Sequence, residues 1–218
     1  MSPTVLLVHG GLWDPMDAER FWGTTGITAG LTSAGLTVLA PDRPKYPTGW
    51  DIEFEALGEL LANHAEPLTV VGASNGCTVA ARMALVYPDV VARLLLAWPA
   101  TCGDFEVDKR TRAGLHGLGC VPKDADDLLA GGTLRGTSDD ELRGLARIPV
   151  AVLPSVPENP MHQRRTVDGL LQLVRGCREL PGCPEPPRPD FPPYLAQVVA
   201  TIVEFVSGEV RRGAAGGF

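Results

Sequence analysis

One serine lies in a setting that favours nucleophilic chemistry. Ser74 is the middle residue of Gly72–Gly76, which follows the apolar run Leu68–Val71 and precedes the alanine-rich segment Cys77–Tyr87. This order is typical of a strand, a sharp turn and a helix that together expose the serine hydroxyl. Glycine is expected at both ends of the turn because larger side chains would collide where strand and helix cross. The alternative role of Ser74 is that of an ordinary N-cap for a helix over 75–87.

The elements that must position Ser74 follow from short apolar runs. Five such runs alternate with helix-like stretches, as in strands buried on both faces: Thr4–Val8, Leu36–Ala40, Leu68–Val71, Val91–Ala97 and Ile148–Leu153. A last strand is expected near 177–180, and helices over 52–64, 75–87, 161–174 and 194–206. The predicted fold class is therefore α/β, with a doubly wound, mostly parallel sheet covered by helices.

The length and composition of the chain favour a single domain over residues 1–218. At 218 residues and 44% hydrophobic content, the chain is long enough for one sizeable core. Residues 101–147 break the alternation, are rich in Gly and Asp, and contain a capping-box pattern from Ser138 to Glu141. We expect this segment to form a small helical lid over the carboxyl edge of the sheet. Residues 207–218 are expected to be a flexible tail.

In the order of its elements and motifs, the chain resembles the α/β-hydrolase family. The first strand runs into His9-Gly10-Gly11-Leu12, which is similar to the oxyanion loop of that family, and Ala40–Arg43 is similar to its turn after the second core strand. The resemblance covers roughly residues 4–206. It implies an oxyanion hole formed by the backbone amides of Gly11, or Leu12, and Asn75.

A serine nucleophile needs a histidine to accept its proton and a carboxylate to orient that histidine. The family carries its histidine after the last strand, where this chain has Pro181–Glu185 and departs from the pattern. Three of the four histidines are expected to have other roles. His64 is expected on a helix before the elbow strand, His116 in the lid, and His9 as a structural brace of the oxyanion loop. His162 follows Ile148–Leu153, where the family usually has its acid, and is the predicted base.

Two carboxylates are candidates for the acid that orients the histidine, and a third is a weaker candidate for the base. Glu158 aligns best with the family's acid position and is the predicted acid, with capping of a helix over 161–174 as its alternative role. Asp104 follows the strand that ends near Trp98, where some family members carry the acid, and is otherwise a turn residue at the lid. Glu185 lies close to the slot of the missing histidine, but a lone carboxylate is a poor base for a serine.

Several aromatic residues are expected near the catalytic edge of the sheet. They are Trp13, Phe21, Trp22, Trp50 and Trp98, and the alternative for each is core packing. Trp13 and Trp98 are predicted to contact the substrate. The leading hypothesis is serine-dependent hydrolysis of an ester, thioester or lactone of a small apolar molecule through an acyl-enzyme. The alternatives are a cofactor-free lyase or biosynthetic catalyst and a catalytically silent ligand-binding protein.

Composition restricts the partners. A net charge of −7, a pI of about 5.1 and the lack of a basic run argue against nucleic acid. The apolar runs are shorter than a membrane span and no basic leader precedes the first strand, so a cytoplasmic protein without a membrane partner is expected. Five widely spaced cysteines predict reduced thiols and no metal site. No cofactor is expected, a small-molecule substrate is the predicted partner, and the sequence does not indicate the oligomeric state.

Overall fold

The computed structural model describes residues 2–13, 15–62, 64 and 66–208. Among these residues one sheet contains six strands: β1 Thr4–Val8, β2 Thr37–Leu39, β3 Leu68–Ala73, β4 Val91–Ala97, β5 Val150–Leu153 and β6 Arg178–Glu179. Neighbouring strands are parallel throughout, in the order β2-β1-β3-β4-β5-β6. The strand order reverses at β1 and β3, which is where open α/β sheets place their sites, outside the carboxyl ends of the strands.

Helices cover both faces of this sheet, which confirms the predicted doubly wound α/β architecture. The α-helices of the described residues are α1 Ile27–Ser33, α2 Trp50–Ala62, α3 Gly76–Val86, α4 Phe105–Gly117, α5 Pro122–Leu129, α6 Asp139–Arg143, α7 Arg164–Leu173 and α8 Leu195–Ser207. Short π- or 3-10 turns occupy Glu19–Gly23, Gly144–Arg147 and Pro192–Tyr194. None of these described helices combines the length and apolar character needed to cross a bilayer.

The strands divide the hydrophobic core into two layers. Along β1, Leu6 and Val8 face the layer that includes residues of α2, α3 and α7, whereas Val5 and Leu7 face the layer of α1 and α8. All four side chains are fully buried. Because successive strand residues point to opposite faces, a strand covered on both faces must be apolar at every position. This requirement explains the continuous apolar runs in the sequence.

The stretch between β4 and β5, residues 98–149, is called the insert below. It contains α4, α5 and α6, and its buried leucines join the core layer of α2 and α3. The predicted capping box is present: the Glu141 amide donates to Ser138 Oγ at 3.2 Å, and the Ser138 amide donates to Glu141 Oε2 at 2.7 Å. Movement of residues 101–147 as a lid remains a prediction.

The last helix ends close to the predicted boundary. α8 runs to Ser207, and Gly208 follows with a φ of 72°, a left-handed conformation that glycine adopts without strain. Ser207, the first residue of the tail predicted for 207–218, is therefore helical. Residues 209–218 of this tail lie outside the described part of the chain.

Candidate active site

Ser74 lies in a strained turn between β3 and α3. Its φ is +51°, a left-handed value that is costly for a residue with a side chain and that is typical of a nucleophile elbow. A Cβ on Gly72 would lie 2.6 Å from the Cβ of Ala80, and a Cβ on Gly76 would lie 2.4 Å from the His9 carbonyl oxygen. Glycine is thus required at both positions, as predicted. The N-cap of α3 is the next residue, so the alternative capping role of Ser74 is wrong.

The structure brings His162 to Ser74. The two atoms His162 Nε2 and Ser74 Oγ are 3.0 Å apart, within hydrogen-bond distance. A tight turn presents the imidazole, because the His162 amide donates to the Asn159 carbonyl at 3.0 Å. The Gln163 amide then donates to Thr101 Oγ1 at 2.9 Å. The loop after β5 is therefore held on both sides of the histidine, and α7 begins only at Arg164.

The other side of the imidazole faces Glu185, in the loop after β6. His162 Nδ1 lies 3.2 Å from Glu185 Oε1, an ion-pair distance that falls short of the geometry of a regular hydrogen bond. Glu185 also accepts from Ser155 Oγ at 2.7 Å and from Asn159 Nδ2 at 3.0 Å. With a carboxylate at Nδ1, the proton of neutral His162 belongs on Nδ1, which leaves Nε2 free to accept from Ser74.

The protonation state of Glu185 suits this arrangement. Burial raises the pKa of its carboxyl group, but the contact and charge of His162 and the hydrogen bond from Ser155 outweigh burial and lower the pKa to about 2. The carboxylate is consequently ionised at neutral pH. It can hold the histidine tautomer and stabilise the imidazolium that forms when His162 accepts a proton.

Glu158 does not fill the predicted role of acid. Its exposed side chain accepts a hydrogen bond from the Arg164 amide at 2.7 Å, at the start of α7. Glu158 thus has its alternative role of helix cap. The hydrogen bond is favourable because the first amides of a helix lack partners within the helix. Asp104 likewise caps α4 by accepting from the Val107 amide at 3.0 Å. Both carboxylates are engaged by helix ends.

The histidine and the acid have exchanged positions relative to the pattern used for the prediction. That pattern puts an acid after β5 and a histidine after β6, whereas this chain has His162 after β5 and Glu185 after β6. The two loops lie side by side because a bridge from Ser155 to Cys183 continues the parallel pairing of β5 and β6. The signal in the sequence was a carboxylate in the histidine slot together with a histidine in the acid slot. Glu185, expected above as a weak base, instead lies where it can act on His162.

A buried arginine organises the loop after β1. Nη1 of Arg43 donates to the carbonyls of residues 9, 10 and 11 at 2.9, 3.0 and 2.9 Å, while its Nε pairs with buried Glu53 at 2.6 Å. In trans peptides the N–H points opposite to the C=O. Because these carbonyls face Arg43, the amides of Gly11 and Leu12 point away from it.

His9 braces the same loop, as predicted. Its Nδ1 donates to the Gly10 carbonyl at 2.8 Å, and its Nε2 accepts from the Arg43 amide at 3.0 Å. Burial, followed by the positive charge of Arg43, lowers the pKa of His9. The ring is thus held neutral in a structural role.

The loop that carries Gly11 and Leu12, two of the predicted oxyanion donors, approaches Ser74 closely. A Cβ on Gly10 would be only 2.9 Å from the Cβ of Ser74, so the loop after β1 packs directly against Ser74. Within the described residues, no acceptor is bound to the amides of Gly11, Leu12 or Asn75. Backbone amides that no described group engages could stabilise a developing oxyanion near Ser74, and their role as an oxyanion hole stays a prediction.

The predicted substrate contact of Trp98 is wrong. Its side chain is fully buried, packs against Phe21 and Phe191, and donates from Nε1 to the Cys183 carbonyl at 2.9 Å. Trp98 thereby ties the end of β4 to the loop that carries Glu185. Three other aromatic candidates are also buried in the core: Phe21, Trp22 and Trp50.

Trp13 remains a candidate for substrate contact. It is partly exposed, contacts Tyr46 edge to face and donates to the Pro47 carbonyl at 2.7 Å. With residues 10–12 it lines a narrow cleft beside the oxyanion loop.

Solved structures share this architecture over nearly the whole chain. NosK from Streptomyces actuosus is 21% identical, with a TM-score of 0.63 and coverage of 95% of this chain and 99% of that one. A lipase-esterase related protein from Clostridium acetobutylicum is 15% identical, with a TM-score of 0.63 and coverage of 93% and 94%. This chain has the α/β-hydrolase fold.

A third α/β-hydrolase-fold neighbour is a thioesterase domain from the curacin biosynthetic pathway. It is 14% identical, with a TM-score of 0.61 and coverage of 93% of this chain and 91% of that one. No family model and no curated protein sequence matches the chain significantly. The likeness is therefore one of fold, and the chemistry must be argued from the site itself.

Proposed function

We propose that this α/β-hydrolase-fold protein is a serine hydrolase that cleaves an ester, thioester or lactone through an acyl-enzyme. The observation that carries the proposal is the contact of Ser74 Oγ with His162 Nε2 at 3.0 Å, with Glu185 on the opposite nitrogen of the imidazole. A nucleophile, a base and an acid in this order are what acyl transfer to serine requires. Neighbours described as a lipase-esterase related protein and a thioesterase domain agree with this chemistry.

Acylation begins when Ser74 Oγ attacks the carbonyl carbon of the substrate and its proton moves to His162 Nε2. The negative charge that develops on the carbonyl oxygen is stabilised by the amides of Asn75 and of Gly11 or Leu12. As the tetrahedral intermediate collapses, the bond from carbon to the leaving oxygen or sulfur breaks. His162 returns its proton to the leaving alcohol or thiol.

Deacylation repeats these steps with water as the nucleophile. His162 removes a proton from water, the resulting hydroxide attacks the acyl carbon, and the bond to Ser74 Oγ breaks. The serine oxygen recovers its proton from His162 and the carboxylic acid leaves. Glu185 stays ionised throughout, because its role is to orient and stabilise the imidazole and not to carry the proton.

A pre-steady-state assay with activated aryl esters and thioesters tests this proposal. We expect a burst of one leaving group per enzyme and an acyl adduct on the Ser74 peptide by mass spectrometry. Ser74→Ala is expected to abolish both, and His162→Ala to slow acylation by at least 10³-fold. His116→Ala replaces an exposed histidine of α4 and is the matched control, expected to retain the wild-type rate.

Other outcomes of this assay would contradict the proposal. Turnover without an acyl adduct, yet dependent on Ser74 and His162, would favour the non-hydrolytic alternative. No turnover by folded protein on the whole panel, with a ligand still bound, would favour the silent binding protein. The absence of a histidine after the last strand favours such a silent protein, whereas His162 within hydrogen-bond distance of Ser74 argues against it.

A further inference from the structure

A second buried arginine, Arg135, reaches from the insert to the nucleophile elbow. Its Nη1 donates to Asn75 Oδ1 at 3.0 Å, and its Nη2 lies 3.2 Å from Asp108 Oδ1 of α4. The side chain is 1% exposed, although it belongs to a loop between α5 and α6. Burying an arginine in a loop is costly unless the guanidinium has a specific partner. Here the guanidinium has two partners: the Asp108 carboxylate of α4 and the side chain of Asn75, the residue immediately after the proposed nucleophile.

Arg135 lies in a compact turn of the insert. The Gly136 amide donates to the Ala130 carbonyl at 2.7 Å and the Gly132 amide donates to the Thr137 carbonyl at 2.9 Å, which closes a compact turn. Gly136 has a φ of 64°, and a Cβ there would lie 2.4 Å from the Trp50 ring. The turn thus packs tightly against α2, which fixes the position of the Arg135 backbone.

Asn75 supplies the link between this arginine and the chemistry. Its backbone amide is one of the two proposed oxyanion donors, and its side-chain oxygen is four covalent bonds from that amide nitrogen. A donor in an oxyanion hole must be fixed before the charge develops, because a misplaced donor loses most of its effect. The hydrogen bond from Arg135 restrains the side chain of a residue that follows a strained φ at Ser74.

We propose that Arg135 is a positioning residue of the oxyanion hole, which acts through the Asn75 side chain and makes docking of the insert a condition for acyl transfer. This inference rests on the proposed serine hydrolase function. It assigns the insert a role in the chemical step. A purely structural arginine would instead hold the insert in place without affecting the reactivity of Ser74.

The test compares Arg135→Met, Asn75→Ala and the double variant by kcat, KM and the rate of Ser74 labelling by a fluorophosphonate. Each single variant is expected to lower kcat and the labelling rate by about 10- to 100-fold, somewhat less than loss of an oxyanion donor, with KM changed less than about 3-fold. The kcat of the double variant is expected to lie within about 3-fold of the kcat of the less active single variant, because both substitutions remove the same interaction. Arg112→Met, in an exposed pair with Asp126 on the insert, is the control expected to behave as wild type.

Three results would overturn the inference. The first is an Arg135→Met variant whose Ser74 is labelled at the wild-type rate, and the second is a loss of activity that appears as a raised KM with kcat unchanged. The third is a double variant whose fold-loss in kcat equals the product of the two single-variant losses. If Arg135→Met does not fold, the test rests on Asn75→Ala, and an unchanged kcat of Asn75→Ala overturns the inference. A wild-type protein whose Ser74 is not labelled would instead refute the proposed function. The two failures are therefore distinguishable.

Discussion

At the scale of single residues, the orientation of His162 depends on a carboxylate that is itself held in place. Glu185 accepts from Ser155 and from Asn159, and the same Asn159 forms the turn that presents His162. Hydrogen bonds that lock a supporting residue keep the reactive group within the narrow geometry that catalysis needs. The loops after β5 and β6 therefore position the histidine jointly.

Replacement of the two competing glutamates separates their roles. Glu185→Gln is expected to lower kcat by about 10²- to 10⁴-fold, because a neutral amide neither fixes the histidine tautomer nor stabilises the imidazolium. Glu158→Gln leaves a hydrogen-bond acceptor at the start of α7 and is expected within about 2-fold of wild type. Steady-state kinetics on an aryl ester measures both. A larger loss for Glu158→Gln than for Glu185→Gln would refute the assignment.

The lowered pKa of Glu185 also predicts a pH dependence of stability. The folded protein has a pKa of about 2 at this carboxyl group, below its usual 4.5, so on acidification the unfolded chain takes up the proton first. The stabilisation is complete above pH 4.5 and is lost as the pH falls from 4.5 towards 2. Urea unfolding at several pH values is expected to show that the free energy of unfolding falls more steeply on acidification for wild type than for Glu185→Gln. Parallel curves would contradict this prediction.

At the scale of elements, the elbow depends on the close approach of α3 to β1. Gly76→Ala would put a methyl group 2.4 Å from the His9 carbonyl oxygen and 2.5 Å from that of Val8, and neither backbone atom can yield easily. We expect a loss of about 1–3 kcal/mol or more in the free energy of unfolding. Gly114→Ala, in α4 with open space around the new methyl, is the control and is expected to gain about 0.5–1 kcal/mol. Equal effects in denaturant titrations would contradict the steric argument.

The buried pair of Arg43 and Glu53 links α2 to the oxyanion loop. Arg43→Met would leave Glu53 without its cation and would remove a donor from three loop carbonyls, of which that of Gly10 keeps the hydrogen bond from His9 Nδ1. We therefore expect a loss of about 3–5 kcal/mol in unfolding free energy. Arg82→Met removes a partly exposed arginine paired with exposed Asp51 and is expected to cost within about 1 kcal/mol. Thermal and urea unfolding compare the two variants. A similar small loss for both would show that Arg43 does not hold the loop.

At the scale of the whole molecule, the fold and the sharp turn at Ser74 could be predicted because each rests on a local pattern. Continuous apolar runs specify strands buried on both faces, and glycines around Ser74 reflect contacts over a few residues. The role of Glu185 could not be derived in this way. It depends on the register between β5 and β6, which brings together residues far apart in sequence.

The aromatic residues show the same limit at another place. Trp98 follows a strand at the carboxyl edge of the sheet, and the direction of its side chain cannot be read from the apolar pattern of that strand. Its φ of 47° and its hydrogen bond to Cys183 direct the ring into the core. The direction of a single side chain at a strand end is set by tertiary packing, which no periodicity reports.

Covalent labelling with a fluorophosphonate tests the central claim, that Ser74 is activated by His162 and Glu185, most directly. The account predicts one adduct per chain, located on the Ser74 peptide, at a rate lowered at least 10³-fold by His162→Ala and unchanged by the exposed control His116→Ala. A folded wild-type protein that is not labelled, or a label on another residue, would contradict it.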